Sequence, residues 1–144
     1  MSFRRILIAI DSDAVSTHAC DVGSELADEL RAYLALVHVV NDPGGSGAET
    51  EASQSERRAE RKEAGRRLVG DFRKRLSPKT AALEFVEAGN PAEEIAKAAR
   101  NWPADLIVIG SHSRTDIQHA LVGSVAEAVM RLAPCPVLVV RALA

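Results

Sequence analysis

Short apolar runs recur along the chain and are separated by stretches with the spacing of helices. Residues 4–10, 34–40, 105–110 and 136–140 are rich in Ile, Leu and Val, which is typical of parallel strands buried on both faces. Residues 82–87 alternate between apolar and polar side chains, which favours an edge strand with one face towards solvent. The pattern therefore predicts five strands.

The segment after the first apolar run has the features of an amphipathic helix. Ser12 or Asp13 is placed to cap its first turn, and Gly23 within it indicates close packing against a neighbour. Its apolar side chains recur every three or four residues, at Ala19, Val22, Leu26 and Leu30.

Later segments open with recognisable helix starts. Residues 41–52 are rich in Gly, Pro and acidic residues and are predicted to form a mobile loop. Ser53 and Glu56 have the spacing of a capping box ahead of a second, highly charged helix. Asn90 and Pro91 have the cap and first-turn preferences of a third. The apolar face of the second helix consists of Leu68, Val69, Phe72 and Leu76.

Strands that alternate with helices predict βαβ units with right-handed crossovers. The expected fold class is α/β: a Rossmann-like three-layer sandwich with a five-stranded parallel sheet. If the strand order is 3-2-1-4-5, the ends of the first and fourth strands are neighbours. The length of 144 residues suits a single domain spanning residues 1–144. In such a sheet ligands bind beyond the carboxyl ends of the strands, where the direction of winding reverses.

Composition and charge narrow the class of protein further. The net charge of −2 gives no overall positive field for nucleic acid, and the basic stretch 57–75 interleaves acids as a solvated helix does. No apolar run reaches the ~20 residues of a membrane span, and residues 6–10 are too few for a signal-peptide core. We therefore expect a cytoplasmic protein that binds neither nucleic acid nor membrane.

The cysteines and histidines give no sign of a metal site or a catalytic group. Cys20 and Cys135 lack CxxC spacing and are interpreted as reduced residues in or near the core. His38 lies within an apolar strand and is expected to be packed, while no nucleophile or partner acid is evident beside His38 or His112. The sequence assigns no catalytic residue and no metal ligand.

Two segments compete for the ligand position at the carboxyl ends of the strands. One is 11–13, after the first strand, where Asp11 can be a turn or cap residue or a ligand contact. The other is 110–124, a long polar connection that leads into a helix whose first N–H groups can bind an anion such as phosphate. Ser124 with Glu127 forms a capping box, so Ser124 can cap the helix, contact phosphate, or do both.

Five stretches along the chain, taken in this order, carry a resemblance to a known family: RRILIAID, LALVHVV, VEAGNPAEEIAKAA, DLIVIGSHSR and VGSVAEAVMRLAPCPVLVV. Over nearly its whole length the chain resembles the universal stress protein family. ATP-binding members of the family have Gly, two residues, Gly, nine residues, then Gly and Ser or Thr. This chain matches that pattern at Gly110 and at Gly123 with Ser124, but has Ser113 at the middle glycine.

The resemblance implies an adenine-nucleotide-hydrolase-like fold and a set of nucleotide contacts. Asp11 would meet the adenine or ribose, and Val39 would line the adenine pocket. Ile109 and Gly110 would flank the nucleotide. The phosphates would be held by Gly123, Ser124 and Val125.

The middle of the phosphate connection departs from the family pattern. Ser113 adds a Cβ that makes a left-handed backbone costly, although its hydroxyl can donate to phosphate. Arg114 can add a charge-assisted contact, whereas Asp116 repels phosphate unless a metal bridges the two. With these substitutions, both a nucleotide-binding protein and one that binds no nucleotide remain compatible with the sequence.

The resemblance also implies a function and its alternatives. The protein would bind ATP or AMP, with Mg²⁺ as a further candidate, and act as a stress-linked regulator that forms a homodimer through its last strand and signals to a regulatory protein partner. One alternative is a member that binds no nucleotide and works through protein partners only. The other is a slow ATP hydrolase.

Overall fold

The fold is described here from a computed structural model, which covers residues 2–41, 50–112 and 122–142. Strands and helices alternate along these residues. In chain order they are β1 (Arg5–Ala9), α1 (Ala14–Leu30), β2 (Tyr33–Val40), α2 (Glu51–Arg75), β3 (Ala82–Ala88), α3 (Pro91–Asn101), β4 (Leu106–Gly110), α4 (Ser124–Leu132) and β5 (Val137–Val140).

The strands form one parallel sheet in the order β3-β2-β1-β4-β5, which confirms the predicted topology. The chain starts in the middle of the sheet, winds outwards through β2 to β3, and then crosses back to β4 on the other side of β1. The winding therefore reverses between β1 and β4. The alternating segment 82–87 lies in β3, at an edge of the sheet as predicted.

Helices cover both faces of the sheet, because successive strand residues point to opposite sides. Ile6 and Ile8 of β1 pack with residues of α1 and α2, while Leu7 and Ala9 pack with residues of α3 and α4. A Cβ on Gly23 would lie 2.5 Å from Ile8 Cδ1, which confirms that α1 approaches the sheet closely there.

Two of the predicted helix starts are confirmed and two are wrong. Asp13 caps α1 by accepting from the Ser16 N–H, and Asn90 caps α3 with Pro91 as its first residue. The second helix does not begin at Ser53: Thr50 is its N-cap and Oγ1 of Thr50 accepts from the Ser53 N–H. The loop predicted for residues 41–52 therefore extends too far, because α2 already begins at Glu51. Residues 42–49 of that loop lie outside the described part of the chain.

The start of α4 is also one residue earlier than the sequence predicts. Gly123 is the N-cap and Ser124 is the first helical residue, so Ser124 does not form the expected capping box with Glu127. The motif spacing alone could not choose between these neighbours, because glycine is also an accepted N-cap residue.

Both cysteines are free, as predicted. Cys20 is fully buried, and this burial, with a smaller contribution from the Asp21 charge, raises the pKa of its thiol to about 11. Burial likewise raises the pKa of the half-buried Cys135 thiol. Near neutral pH both side chains are therefore thiols and not reactive thiolates.

No helix in the described ranges is long and apolar enough to cross a bilayer.

Candidate functional site

A cleft of about 720 Å³ lies across the carboxyl ends of β1, β2 and β4, where the winding reverses. It is walled by the first turns of α1, α3 and α4 and by the middle of α2. The helices begin at this edge because each follows a parallel strand and must run back along the sheet. Both segments that the sequence singles out, 11–13 and 110–124, contribute described residues to this cleft.

Asp11 lies in the cleft directly after β1 and is held in a local turn. Its N–H donates to Ser16 Oγ at 2.7 Å, and its Oδ1 accepts from the Ser12 N–H at 2.8 Å. Because Asp13 is the helix cap, Asp11 is a turn residue and not a cap. The half-buried carboxylate keeps a second oxygen that can accept from a ligand hydroxyl.

Apolar side chains form one wall of the cleft. Val39 at the end of β2 and Ile109 at the end of β4 line it together with Ile95 of α3. These three belong to the same side of the sheet, the side covered by α3 and α4. The wall suits the flat apolar face of a ring better than it suits a charged group.

Gly110 lines the cleft at the end of β4, and its lack of a side chain is required by packing. A Cβ at this position would collide with Val15 Cγ1 in α1 and lie 3.2 Å from Val15 Cβ. The glycine therefore has a structural reason that involves no ligand. It also leaves the backbone at the cleft floor uncovered.

The first turn of α4 faces the cleft on the other side of β4. Gly123 is buried and is fixed by a hydrogen bond from its N–H to the Ser111 carbonyl, while Val125 lines the cleft. Ser124 is exposed at the helix start. The start of a helix presents backbone N–H groups that can bind an anion.

Three residues of the predicted phosphate connection lie outside the described residues. They are Ser113 and Arg114, which are predicted to contact phosphate, and Asp116, which is predicted to repel it. Of the predicted contacts, Asp11, Val39, Ile109, Gly110 and Val125 line one cleft, and Gly123 and Ser124 begin the helix that bounds it.

Sequence reasoning missed the wall that α2 contributes. Arg61 lines the cleft and donates from a guanidinium nitrogen to the Asn41 carbonyl at 3.0 Å. The topology was the available signal for Arg61, since α2 must begin at the ligand edge of the sheet.

His38 of β2, which the sequence predicts to be packed, is half-buried and lines the cleft. Its Nδ1 makes a 2.9 Å hydrogen bond with the Ile10 carbonyl. A carbonyl only accepts, so Nδ1 carries the proton.

The structure corrects one statement about His112. A hydroxyl does lie beside it: Ser111 Oγ is 3.0 Å from His112 Nδ1. Ser111 is only 1% exposed, however, so a substrate has no access to its oxygen. The contact satisfies a buried hydroxyl, which is the usual state of polar groups in a protein interior.

The fold and the cleft define the class of protein. A parallel sheet with one reversal of winding and a helix start at that reversal are typical of α/β domains that bind ligands at the carboxyl ends of their strands. The universal stress protein family model matches residues 2–141. The chain belongs to the universal stress protein family, which confirms the resemblance at the level of the family.

Individual relatives agree with this assignment. The chain is 32% identical over 151 aligned residues to universal stress protein YxiE of Bacillus subtilis, covering 96% of this chain and 99% of that one. Its fold matches the solved structure of the hypothetical protein MJ0577 with a TM-score of 0.89 at 25% identity, covering 100% and 99% of the two chains.

Two further solved structures hold nucleotides. One is a universal stress protein in complex with cAMP, with a TM-score of 0.70, 23% identity and coverage of 97% and 98%. The other is the universal stress protein from Archaeoglobus fulgidus in complex with dAMP, with a TM-score of 0.60, 23% identity and coverage of 97% and 99%. At this identity the likeness concerns the fold.

Proposed function

We propose that this universal stress protein is a single-domain cytoplasmic protein that binds an adenine nucleotide, ATP or AMP, and acts as a stress-linked regulator. The observation that carries the proposal is the convergence of Asp11, Val39, Gly110 and Val125 on one cleft at the reversal of winding. Family members whose structures hold cAMP and dAMP support the same ligand class.

Each wall of the cleft suits a different part of a nucleotide. The apolar wall at Val39 and Ile109 suits the base, and the Asp11 carboxylate suits a ribose hydroxyl or the exocyclic amino group of adenine. The first turn of α4, with Gly123, Ser124 and Val125, suits the phosphates, because its N–H groups and the helix dipole favour an anion. Ser113 and Arg114 complete the proposed phosphate contacts.

A magnesium ion would enter the cleft together with the nucleotide. The described residues include no group of three or more His, Cys, Asp or Glu side chains that could hold a metal. Asp11 and Asp13 line the cleft, and Mg²⁺ in nucleotide sites is usually held by one or two carboxylates together with phosphates and water. The two aspartates therefore fit an ion that arrives on ATP.

Isothermal titration of nucleotide-stripped protein tests the proposal. We expect saturable binding of ATP with Mg²⁺, or of AMP, with one site per chain, and mass spectrometry of freshly purified protein should show which nucleotide copurifies. A lack of heat for ATP, ADP and AMP up to about 1 mM would mean less than about 4 kcal/mol of binding free energy. That result would favour a member that works through protein partners only.

Hydrolysis of ATP is a second candidate function, and it is tested by measuring phosphate release with the same protein. A slow ATP hydrolase needs a group that positions the attacking water. In the described part of the cleft the candidates are Asp11, Asp13, His38 and His112. Phosphate release above that of a cleft variant would support a slow ATP hydrolase. Nucleotide binding without phosphate release would support a regulator that does not hydrolyse ATP.

We also propose that the protein is a homodimer paired through β5. In the described residues β5 pairs with β4 only, so its outer edge offers unpaired backbone groups, and Leu138 at its centre is 37% exposed. We expect sedimentation equilibrium to give the mass of two chains for the wild type and of one chain for Leu138→Glu.

The opposite edge strand supplies the control for this dimer. Leu83 of β3 is 51% exposed, so Leu83→Glu places the same charge on the other edge of the sheet. We expect this variant to remain dimeric. A monomeric wild type, or dissociation by Leu83→Glu and not by Leu138→Glu, would exclude pairing through β5.

A further inference from the structure

The first half of α2 extends beyond the packed part of the sheet towards the cleft. All the buried residues of this helix, Gly65, Val69 and Phe72, lie in its second half. Residues 51–64 contain no buried residue, yet Arg61 and Ala64 line the cleft. The Arg61 hydrogen bond to the Asn41 carbonyl ties this part of the helix to the end of β2.

The charges on this half of α2 are sorted by face. Side chains three or four residues apart share a face of a helix. Counting back from Gly65, the stripe that packs on the sheet therefore continues as Lys62, Arg61 and Arg58. Three of the four acids in this half, Glu56, Glu60 and Glu63, lie on the opposite face, whereas Glu51 at the helix start continues the stripe beyond Arg58. Although the signs interleave in the sequence, the face towards the cleft is cationic.

This cationic stripe belongs to a protein that is otherwise acidic. α2 carries nine Lys and Arg against five Asp and Glu, which leaves nine cationic and fifteen acidic residues in the rest of the chain. Among the cleft-lining residues in the described ranges, Arg61 carries the one Arg or Lys charge, and Asp11 and Asp13 line the same cleft. A guanidinium has five N–H donors, and the Asn41 bond uses one of them.

We propose that Arg61, supported by its neighbour Lys62, is a specificity-determining residue that selects ligands of the cleft by their negative charge. This inference rests on the proposed nucleotide function. A cation at the wall of a cleft raises the local concentration of anions and the rate of their capture, while the acidic remainder of the surface repels them. The cleft should therefore bind ATP more tightly than AMP, and part of this difference should come from the charge of Arg61 in addition to the contacts at α4.

Charge reversal at Arg61, compared with the same reversal on the outer face, tests the proposal. Arg67 lies on the same helix, is exposed, and follows Glu60 and Glu63 at helical spacing, so it points away from the cleft. Arg61→Glu and Arg67→Glu change the net charge equally. The measurement is the dissociation constant for AMP and for ATP at constant Mg²⁺, at low and at high KCl.

We expect Arg61→Glu to weaken ATP binding about tenfold in about 10 mM KCl, where the screening length is about 30 Å. The loss should be smaller for AMP and should largely disappear in about 1 M KCl. Arg67→Glu should stay within about twofold of wild type in every condition. Arg61→Gln, with half the change of charge, should give an intermediate loss, and it serves as the second variant if Arg61→Glu does not fold.

The outcomes separate this inference from the proposed function. If wild type binds nucleotide but the two reversals weaken it equally, or the Arg61 effect is the same for AMP and ATP and at both salt concentrations, charge selection by Arg61 is wrong while nucleotide binding stands. If wild type binds neither nucleotide, both proposals are overturned.

Discussion

Replacing Gly110 by Ala is expected to lower the free energy of unfolding by about 3 kcal/mol, near the upper end for overpacking of a tight site. The added Cβ would overlap Val15 Cγ1 and lie 3.2 Å from Val15 Cβ and 3.5 Å from the Val15 carbonyl carbon. Valine is β-branched and strongly prefers one side-chain rotamer in a helix, so moving Cγ1 away is costly. The 3.2 Å approach to Val15 Cβ, which rotation does not change, would remain. Urea denaturation followed by circular dichroism measures the loss.

Gly70→Ala provides the matched control for this substitution. A Cβ on Gly70, inside α2, would meet no atom within 4 Å. Alanine in a helix interior is preferred over glycine by roughly 0.5–1 kcal/mol, so this variant should become more stable. If Gly110→Ala were as stable as wild type, the close packing of α1 on the end of β4 would be wrong.

The second large effect is expected at the proposed phosphate end of the cleft. Gly123→Val should weaken nucleotide binding at least about tenfold, because a branched side chain at the cap crowds the N–H groups of the first turn of α4. The backbone at Gly123 has φ −70° and ψ 163°, which any residue can adopt. The helix loses about 1 kcal/mol through the poorer cap, and because Gly123 is buried the added side chain lowers stability further, so circular dichroism first checks that the variant is folded.

Isothermal titration measures this effect, and Gly70→Val makes the same exchange of residues at an open position that does not line the cleft. Its affinity for nucleotide should equal that of wild type. Unchanged affinity of a folded Gly123→Val protein would instead show that the phosphates are not held at the start of α4, and the nucleotide would have to lie elsewhere in the cleft.

The sheet could be predicted because its signals are local and strong. Continuous apolar runs mark β1, β2, β4 and β5, and the alternating pattern of 82–87 marks the edge strand. The right-handed crossover rule then restricts the topology to few choices. The errors lie at helix starts, where Thr50 competes with Ser53, and Gly123 with Ser124, for the same role. Which residue caps a helix depends on where the incoming chain places its backbone.

The site could be predicted only along the two segments that follow β1 and β4. Residues there carry recognisable chemistry in a recognisable order, as at Asp11 and Gly110. The walls formed by Arg61 of α2 and Ile95 of α3 could not be read in the same way. Arg61 reaches the cleft from the half of α2 that has no buried residue, and Ile95 reaches it from a helix packed on the sheet. Both placements depend on packing and not on any motif.

The contact between Gly110 and Val15 changes how the family's glycine pattern should be used as a diagnostic. Selection for stability alone is enough to keep glycine at this position, whether or not a ligand ever occupies the cleft. A protein of this fold that had lost its ligand would still retain this part of the signature. The informative glycines are those where an added side chain would hardly change the stability of the fold but would strongly weaken ligand binding. Comparisons of these sequences should give such positions the greater weight.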